Sequence, residues 1–220
     1  MKSFKKESAY ELWKKALIYI RDNGRDFEDE DGRICKEVFN LALKIKSCPG
    51  DIEEPIKRLN DFEKWIYPSL DEIENNILSK DSSIGYEYSY GNRILAYSGN
   101  GSEMDQLNDF VLPLLEENQS SRRAVVTLWN PLLDSDLFKK EVPGILSIDF
   151  KLRSGKLNVT EIIRSNDIFY GWPANIYQLY SLQKFVADEL GAEPGFLTTV
   201  STSAHIFEDQ EKYIGKVLQK

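Results

Sequence analysis

A chain of 220 residues that is 41% hydrophobic and 12% aromatic can bury one large core or two small ones, and its composition excludes a disordered polymer. The formal charge of −8 comes without a basic stripe, which argues against a nucleic-acid partner but leaves room for a small anion held by a local Arg cluster. No run approaches about eighteen apolar residues and the Lys-rich start has no apolar signal segment, so a cytoplasmic protein without a membrane span is expected.

In chain order, Ala9, Leu12, Trp13, Ala16, Leu17 and Ile20 recur at helical spacing and predict a helix over 8–22 that ends before Gly24. Residues 26–33 (DFEDEDGR) read as an acidic loop, 38–45 as a strand and 48–51 (CPGD) as a turn. Helix is expected over 53–79 with a break near Pro68, then a Gly- and Tyr-rich loop over 82–93. A helix over 107–117 stops at Asn118, and 124–129 (AVVTLW) is a buried strand. Strands over 145–152 and 157–163 flank Ser154-Gly155-Lys156 as a hairpin. The longest helix, 175–190, is closed by Gly191 in the C-cap position; a last strand covers 196–202 and a short helix 209–218. Helices and strands mix without strict βαβ alternation, so the expected class is α+β with a mixed or antiparallel sheet, in one domain over 1–220.

The polar residues that stand out lie at strand ends. Ser121-Arg122-Arg123 precedes a strand and Arg164-Ser165 follows one. Guanidinium forks beside a hydroxyl suit a phosphate dianion, because Arg offers paired donors to paired oxygens; surface ion pairs are the plainer alternative in a chain with 36 carboxylates. Cys35 and Cys48 form no CxxC and have no His nearby, so neither a zinc site nor a disulfide framework is indicated. Both read as small buried hydrophobes. Glu141, Asp149 and Asp167 are carboxylates available for general acid–base work.

Several segments together resemble the thymidylate synthases and their relatives, the pyrimidine nucleotide (dCMP) hydroxymethylases. RSNDIFYGWPAN is similar to the family's RSxDxFLGxPFN, NQSSRRAVVTLWNP to its SRRxxVxxWNP, YGNR to its YGxxR, GSEMDQL to its DQL segment and TTVSTSAHIFEDQ to its strand ending in DxHxY. The matches are collinear over roughly 9–215, and the chain is most similar to the compact archaeal and phage members. The resemblance implies a sheet-mediated homodimer with shared sites that binds a uridine- or cytidine-type monophosphate. Arg164 and Ser165 would bind the phosphate, with Arg122 and Arg123 reaching the second subunit's ligand and Arg33 or Arg25 adding a further contact. Asn175 would meet the base edge, His205 the sugar, and Asp167 would lie near the pyrimidine and the folate. Methylenetetrahydrofolate is the one-carbon donor that the resemblance implies.

Two departures bear on the chemistry. The family's nucleophilic Cys follows a Pro twenty residues before the Arg of RSxD; here Pro143 is followed by Gly144, Asp149 stands where the family has Gln, and neither Cys35 nor Cys48 is expected near the pocket. Trp65 matches the family's Trp in ExxW, but Phe62 takes the place of its Glu, beside Glu63; Tyr86 or Tyr88 is left to stack on a ring, and Phe207 replaces a sugar-binding Tyr. The expected function is therefore either a transferase-family enzyme whose chemistry departs from Cys-dependent C5 (hydroxy)methylation, with Asp167, Asp149 and His205 as the groups to carry it, or a noncatalytic nucleotide-binding or regulatory paralogue.

Overall fold

The computed structural model describes residues 1–47, 50–81, 88–99 and 101–219. In chain order the elements are β1 (Lys2–Lys6), α1 (Ala9–Asn23), β2 (Arg25–Glu28), β3 (Ile34–Ile45), α2 (Glu54–Asn60), α3 (Leu70–Leu78), α4 (Tyr90–Leu95), β4 (Tyr97–Gly99) and β5 (Ser102–Met104). A π-helical turn (Leu107–Val111) then runs into α5 (Leu112–Glu117), followed by β6 (Val125–Thr127), α6 (Pro131–Asp134), β7 (Ile145–Arg153), β8 (Lys156–Asp167), α7 (Gly171–Glu189), β9 (Glu193–Phe207), a 3-10 turn (Glu208–Gln210) and α8 (Glu211–Gln219).

Seven strands form one mixed sheet in the order β1-β3-β9-β8-β7-β6, with β2 also on β3. The β1–β3 and β8–β9 pairs are parallel and the other pairs antiparallel. The parallel β8–β9 pair is joined by α7, the kind of crossover that a parallel pair requires. The expected α+β class with a mixed sheet is what the chain adopts. No helix among the described residues is long and apolar enough to cross a membrane.

The first helix forms as its spacing predicts. Ser8 accepts from the Glu11 N–H as N-cap, and the six apolar residues at helical spacing are its buried face. Trp13 and Trp172 fill the space between this helix, α7 and the sheet, and both indole N–H groups are satisfied: Trp13 donates to the Ile168 carbonyl and Trp172 to Thr199 Oγ1. The β7–β8 hairpin turns at Ser154 and Gly155, both left-handed. At the end of α7, Gly191 (φ 60°) takes the left-handed turn, with Gly191 N–H donating to the Asp188 carbonyl and Ala192 N–H to that of Ala187.

The departures have local causes. β1 carries only Phe4 among four polar residues; it is an edge strand protected by Lys, without the alternation that marks a strand. The first half of the predicted 26–33 loop is strand β2, and β3 begins at Ile34 rather than 38, because the two pair antiparallel from Glu28↔Ile34 to Arg25↔Glu37. The helix predicted over 53–79 is two short helices separated by 61–69, where Ser69 caps α3 with a Glu72 capping box. α7 starts four residues before Asn175 because Pro173 lies in its first turn, where the missing N–H costs nothing. β9 extends five residues past 202, its Ser and Thr content having masked the strand. The Cys48-Pro49 part of the predicted turn and residues 82–87, half of the predicted Gly/Tyr loop, lie outside the described residues; 90–93, the end of that loop, belong to helix α4.

Candidate functional site

The C-terminal ends of β8 and β9 and the start of β3 lie side by side, so their residues form rows across the sheet. Asp167 on β8 is opposite His205 on β9, which is opposite Glu37 on β3. Ser165 is opposite Ser203, and Cys35 opposite Phe207. Above these rows opens a cleft of about 470 Å³, closed at the rim by the β2–β3 loop and Lys140. Arg33, Arg164, Ser165, Asp167, Ser203 and His205 all line it. A second lobe of about 430 Å³ shares Arg33, Asp167 and Phe207 with the first and is walled by Trp65, Tyr170 and Gln210.

Arg164 is held from behind. Its backbone N–H donates to the Gly144 carbonyl, and its guanidinium donates to the carbonyls of Pro143 at 3.0 Å and Val142 at 3.2 Å. The Tyr88 hydroxyl donates to the same Val142 carbonyl. A side chain at Gly144 would enter this wall: an added Cβ would lie 3.4 Å from Tyr90 Oη and 3.6 Å from the Ser165 carbonyl, ordinary contact distances.

The β2–β3 loop is tied by Asp29, whose carboxylate accepts from the backbone N–H groups of Asp31 and Arg33 and from the Arg33 guanidinium. Those bonds, the Arg33 backbone first, hold its carboxyl below the usual range. Arg33 lies with its guanidinium carbon 4.4 Å from the centre of the Phe207 ring. Lys140 reaches the same loop through Asp31 at 2.6 Å. The cleft of one chain therefore contains three cations (Arg33, Lys140, Arg164) against five carboxylates (Asp29, Glu30, Asp31, Glu37, Asp167), a formal −2 among the described residues. A dianion would meet net repulsion there unless further positive charge were supplied.

Asp167 performs a structural task beside the cleft. Its Oδ1 accepts from the N–H groups of Phe169 and Tyr170, which starts α7, and its Oδ2 accepts from Gln210. Burial outweighs these bonds and pushes its carboxyl up to about 6. His205, half-buried beside the Phe207 ring, is pushed down to about 4, by burial first and the Arg33 charge second. A neutral imidazole is both donor and acceptor, suited to a sugar hydroxyl. Because the folded pKa lies below the ordinary 6.5, the unfolded chain takes up the proton first. Stability contributed by neutral His205 is complete above pH 6.5 and is lost as pH falls toward 4, by about 3 kcal/mol, less where solvent screens the partly exposed ring. Denaturation curves at pH 4, 5.5 and 7 are expected to show this slope in the native protein and a flatter one in His205→Gln.

The other expected site residues fall in different places. Asn175 is on the second turn of α7, where its side-chain NH2 donates to Asn166 Oδ1 at 3.3 Å; it is not among the lining residues. Arg122 and Arg123 are exposed at the start of β6 and do not reach their own chain's cleft. Of the two candidates for the loop Arg, Arg33 lines the cleft, while Arg25 lies on β2 opposite Glu37. Asp149 is paired with Lys151 along β7 and is not brought to Asp167 or His205; Glu141 is exposed. Phe62 sits edge-on to Trp65 and Tyr213 in an aromatic cluster, with exposed Glu63 beside it. Tyr88 faces Val142, and Tyr86 and Cys48 lie outside the described residues.

Cys35 corrects an expectation. It lines the cleft, because β3 starts earlier than its hydrophobic run suggests and carries the residue opposite Phe207. Its thiol donates to the Phe27 carbonyl, and burial followed by the Glu37 charge pushes its pKa up, away from the thiolate that a nucleophile needs. Glu37 and Lys140 are cleft residues that the motifs do not mark; for Glu37, the only sequence signal is its place in the extended β3.

Known proteins give an independent comparison. The family model described as "Thymidylate synthase" matches residues 54–220. A provisionally named thymidylate synthase of Methanosarcina barkeri is 34% identical over 198 residues, 90% of this chain and 86% of the relative. That of Methanothermobacter marburgensis is 33% identical, with 95% and 94% covered, and that of Methanocaldococcus jannaschii 27% identical, with 98% and 96% covered.

Proposed function

The chain belongs to the thymidylate synthase family, and we propose that its cleft binds a pyrimidine nucleoside monophosphate, of uridine or cytidine type, between two copies of the chain. The convergence of Arg164, Ser165, Asp167 and His205 on one cleft carries this reading. Arg164, Ser165 and Arg33 take the phosphate and His205 the sugar, whereas Asn175, the residue that the resemblance assigns to the base edge, does not line the cleft of one chain and donates to Asn166. The formal −2 of the isolated cleft supports a shared site, since Arg122 and Arg123 of a second copy would turn a repulsive pocket into one that accepts a dianion. A cytoplasmic homodimer goes with this reading.

The protein then acts as a transferase on the bound nucleotide by chemistry other than thiolate addition, because Gly144 stands in the place of the nucleophile and Cys35 is held as a thiol. The second lobe fits a reduced folate in kind: Trp65, Tyr170 and Phe207 offer ring faces and Arg33 a cation. Such a cofactor would supply a one-carbon unit. The second reading, a noncatalytic nucleotide-binding or regulatory paralogue, is favoured by Phe62 at the place of the family's Glu.

A thermal-shift panel of uridine, deoxyuridine, cytidine, deoxycytidine, thymidine and purine monophosphates tests the ligand class. A ligand at about 100 times its Kd stabilises by about 2.7 kcal/mol, so a pyrimidine-selective rise in Tm is expected. A flat panel, or one led by purines, overturns the assignment.

A further inference from the structure

Three strands meet at the floor of the cleft, and Asp167 on β8, His205 on β9 and Glu37 on β3 form one row across them, all three lining the cleft. The carboxylates of this cleft differ in what holds them. Asp29 binds the Arg33 guanidinium and the loop N–H groups, Asp31 pairs with Lys140, and Asp167 accepts from the start of α7 and from Gln210. Glu30 is exposed at the rim. Glu37 has none of these tasks. It is half-buried, and no described residue forms an ion pair with it, although Arg25 is opposite on β2. Its one side-chain bond among the described residues is from Ser203, whose Oγ–H donates to Glu37 Oε1 at 2.5 Å.

An unpaired carboxylate in a cleft for a dianion works against the ligand by charge alone. It is useful there if the ligand offers hydroxyl protons, because a carboxylate is acceptor-only and has two oxygens to give. Opposite residues on antiparallel strands hold their Cβ atoms about 5 Å apart, so Glu37 is within reach of the hydroxyl next to one that His205 contacts. Ser203 belongs to the same set: its proton is committed to Glu37, which leaves its oxygen to accept. Phe207, the next residue on this face of β9, presents its ring to Arg33 and offers no hydroxyl. The polar contacts left for a sugar are therefore those of His205, Ser203 and Glu37.

We propose that Glu37, together with Ser203, makes the cleft selective for the 2′,3′-diol of a ribonucleotide over the 2′-deoxy sugar. This rests on the nucleotide-binding function proposed above, which leaves the sugar open. His205 meets the 3′-hydroxyl and the Glu37 carboxylate accepts from the 2′-hydroxyl, as acidic side chains do at the ribose of dinucleotide-binding sites. A deoxy sugar sets a methylene against the same carboxylate and strips it of water with no bond in return. A site built to bond a hydroxyl rejects the analogue that lacks it. Neither contact involves the base, so the same preference is expected with uracil and with cytosine.

Calorimetric titration of the full chain tests this with uridine and 2′-deoxyuridine monophosphate, and with cytidine and 2′-deoxycytidine monophosphate. The proteins are native, Glu37→Ala, the isosteric Glu37→Gln and Ser203→Ala. Native protein should bind the ribo form at least about tenfold more tightly, the effect of one hydrogen bond to a charged group. In Glu37→Ala the ratio should fall to about one, and Glu37→Gln and Ser203→Ala should lie between. A merely structural role for Glu37 would weaken both sugars alike and leave the ratio standing. Equal affinity of native protein for the two sugars, a preference for the deoxy form, or a ratio unchanged in both Glu37 variants overturns the proposal while nucleotide binding stands. Native protein that binds none of the four nucleotides overturns the nucleotide assignment itself, and this inference with it.

Discussion

Glu161→Leu is expected to stabilise the protein, and to do so more at high pH than at low. The Glu161 carboxyl is fully buried on β8, and neither of its oxygens has a hydrogen-bond partner among the described residues. At pH 5 it is neutral in the folded chain, and replacing the two oxygens by methyl groups should raise the unfolding free energy by about 1–3 kcal/mol. The folded pKa of about 8 lies above the ordinary 4.5, so between these values the folded state holds the proton and the unfolded state releases it. Stability conferred by the protonated form is complete below pH 4.5 and declines as pH rises through 8, by up to about 4–5 kcal/mol. Relaxation of the surroundings would lower that figure. Urea denaturation at pH 5, 7 and 9 should therefore show an advantage of Glu161→Leu over the native protein that widens as pH rises, the pH dependence from His205 and Asp167 being common to both. Equal slopes, or a variant less stable at every pH, would mean that the carboxyl is solvated or paired.

The second large effect is a gain. Gly144→Cys is expected to confer exchange of the C5 hydrogen of a bound uridine-type monophosphate with solvent deuterium. The space is present: an added Cβ would make only ordinary contacts with Tyr90 Oη and the Ser165 carbonyl. The Arg164 guanidinium nearby favours a thiolate. A thiolate adding to C6 places negative charge on C5 and O4; C5 takes a deuteron from solvent, loses its original proton, and expulsion of the thiolate restores the ring with one hydrogen exchanged. Native protein should show no exchange above buffer, and the variant a rate rising with pH as the thiol ionises. A variant that binds nucleotide yet exchanges nothing would show that the surrounding groups no longer serve that chemistry and would favour the noncatalytic alternative.

The parts of the molecule that were legible in its sequence are those where one local rule dominates. The apolar spacing from Ala9 to Ile20, the left-handed residues Ser154-Gly155 and the stop at Gly191 each specify structure within a few residues. Arg164, Ser165, Asp167 and His205 were marked by motif, and the pairing of β8 with β9 brings them together. The edge strand β1, the acidic hairpin at β2 and the polar end of β9 depend on pairing with distant segments, which no local pattern records. For the same reason Cys35 and Glu37 were not recognisable as cleft residues: their place follows from the register of β3 against β9. Glu161 had a visible signal, a carboxyl at the parity of Leu157, Val159 and Ile163. Its meaning emerges only once that face is known to be the buried one. Asp149 shows the converse, a carboxylate set beside a motif position that the fold pairs with Lys151 away from the cleft.

Calorimetric titration of native protein and Arg164→Ala, side by side, with the pyrimidine monophosphate that gives the largest thermal shift, tests nucleotide binding in the cleft most directly. Arg164 is the cation whose position is fixed from behind by the carbonyls of Val142 and Pro143. Loss of its charge-assisted bonds to a phosphate should cost about 2–4 kcal/mol, a drop in affinity of about thirtyfold to a thousandfold. The expected result is one nucleotide per chain for the native protein and no measurable binding at the same concentrations for Arg164→Ala. An isotherm unchanged by the substitution would contradict it, and would place the ligand outside the cleft formed by β3, β8 and β9.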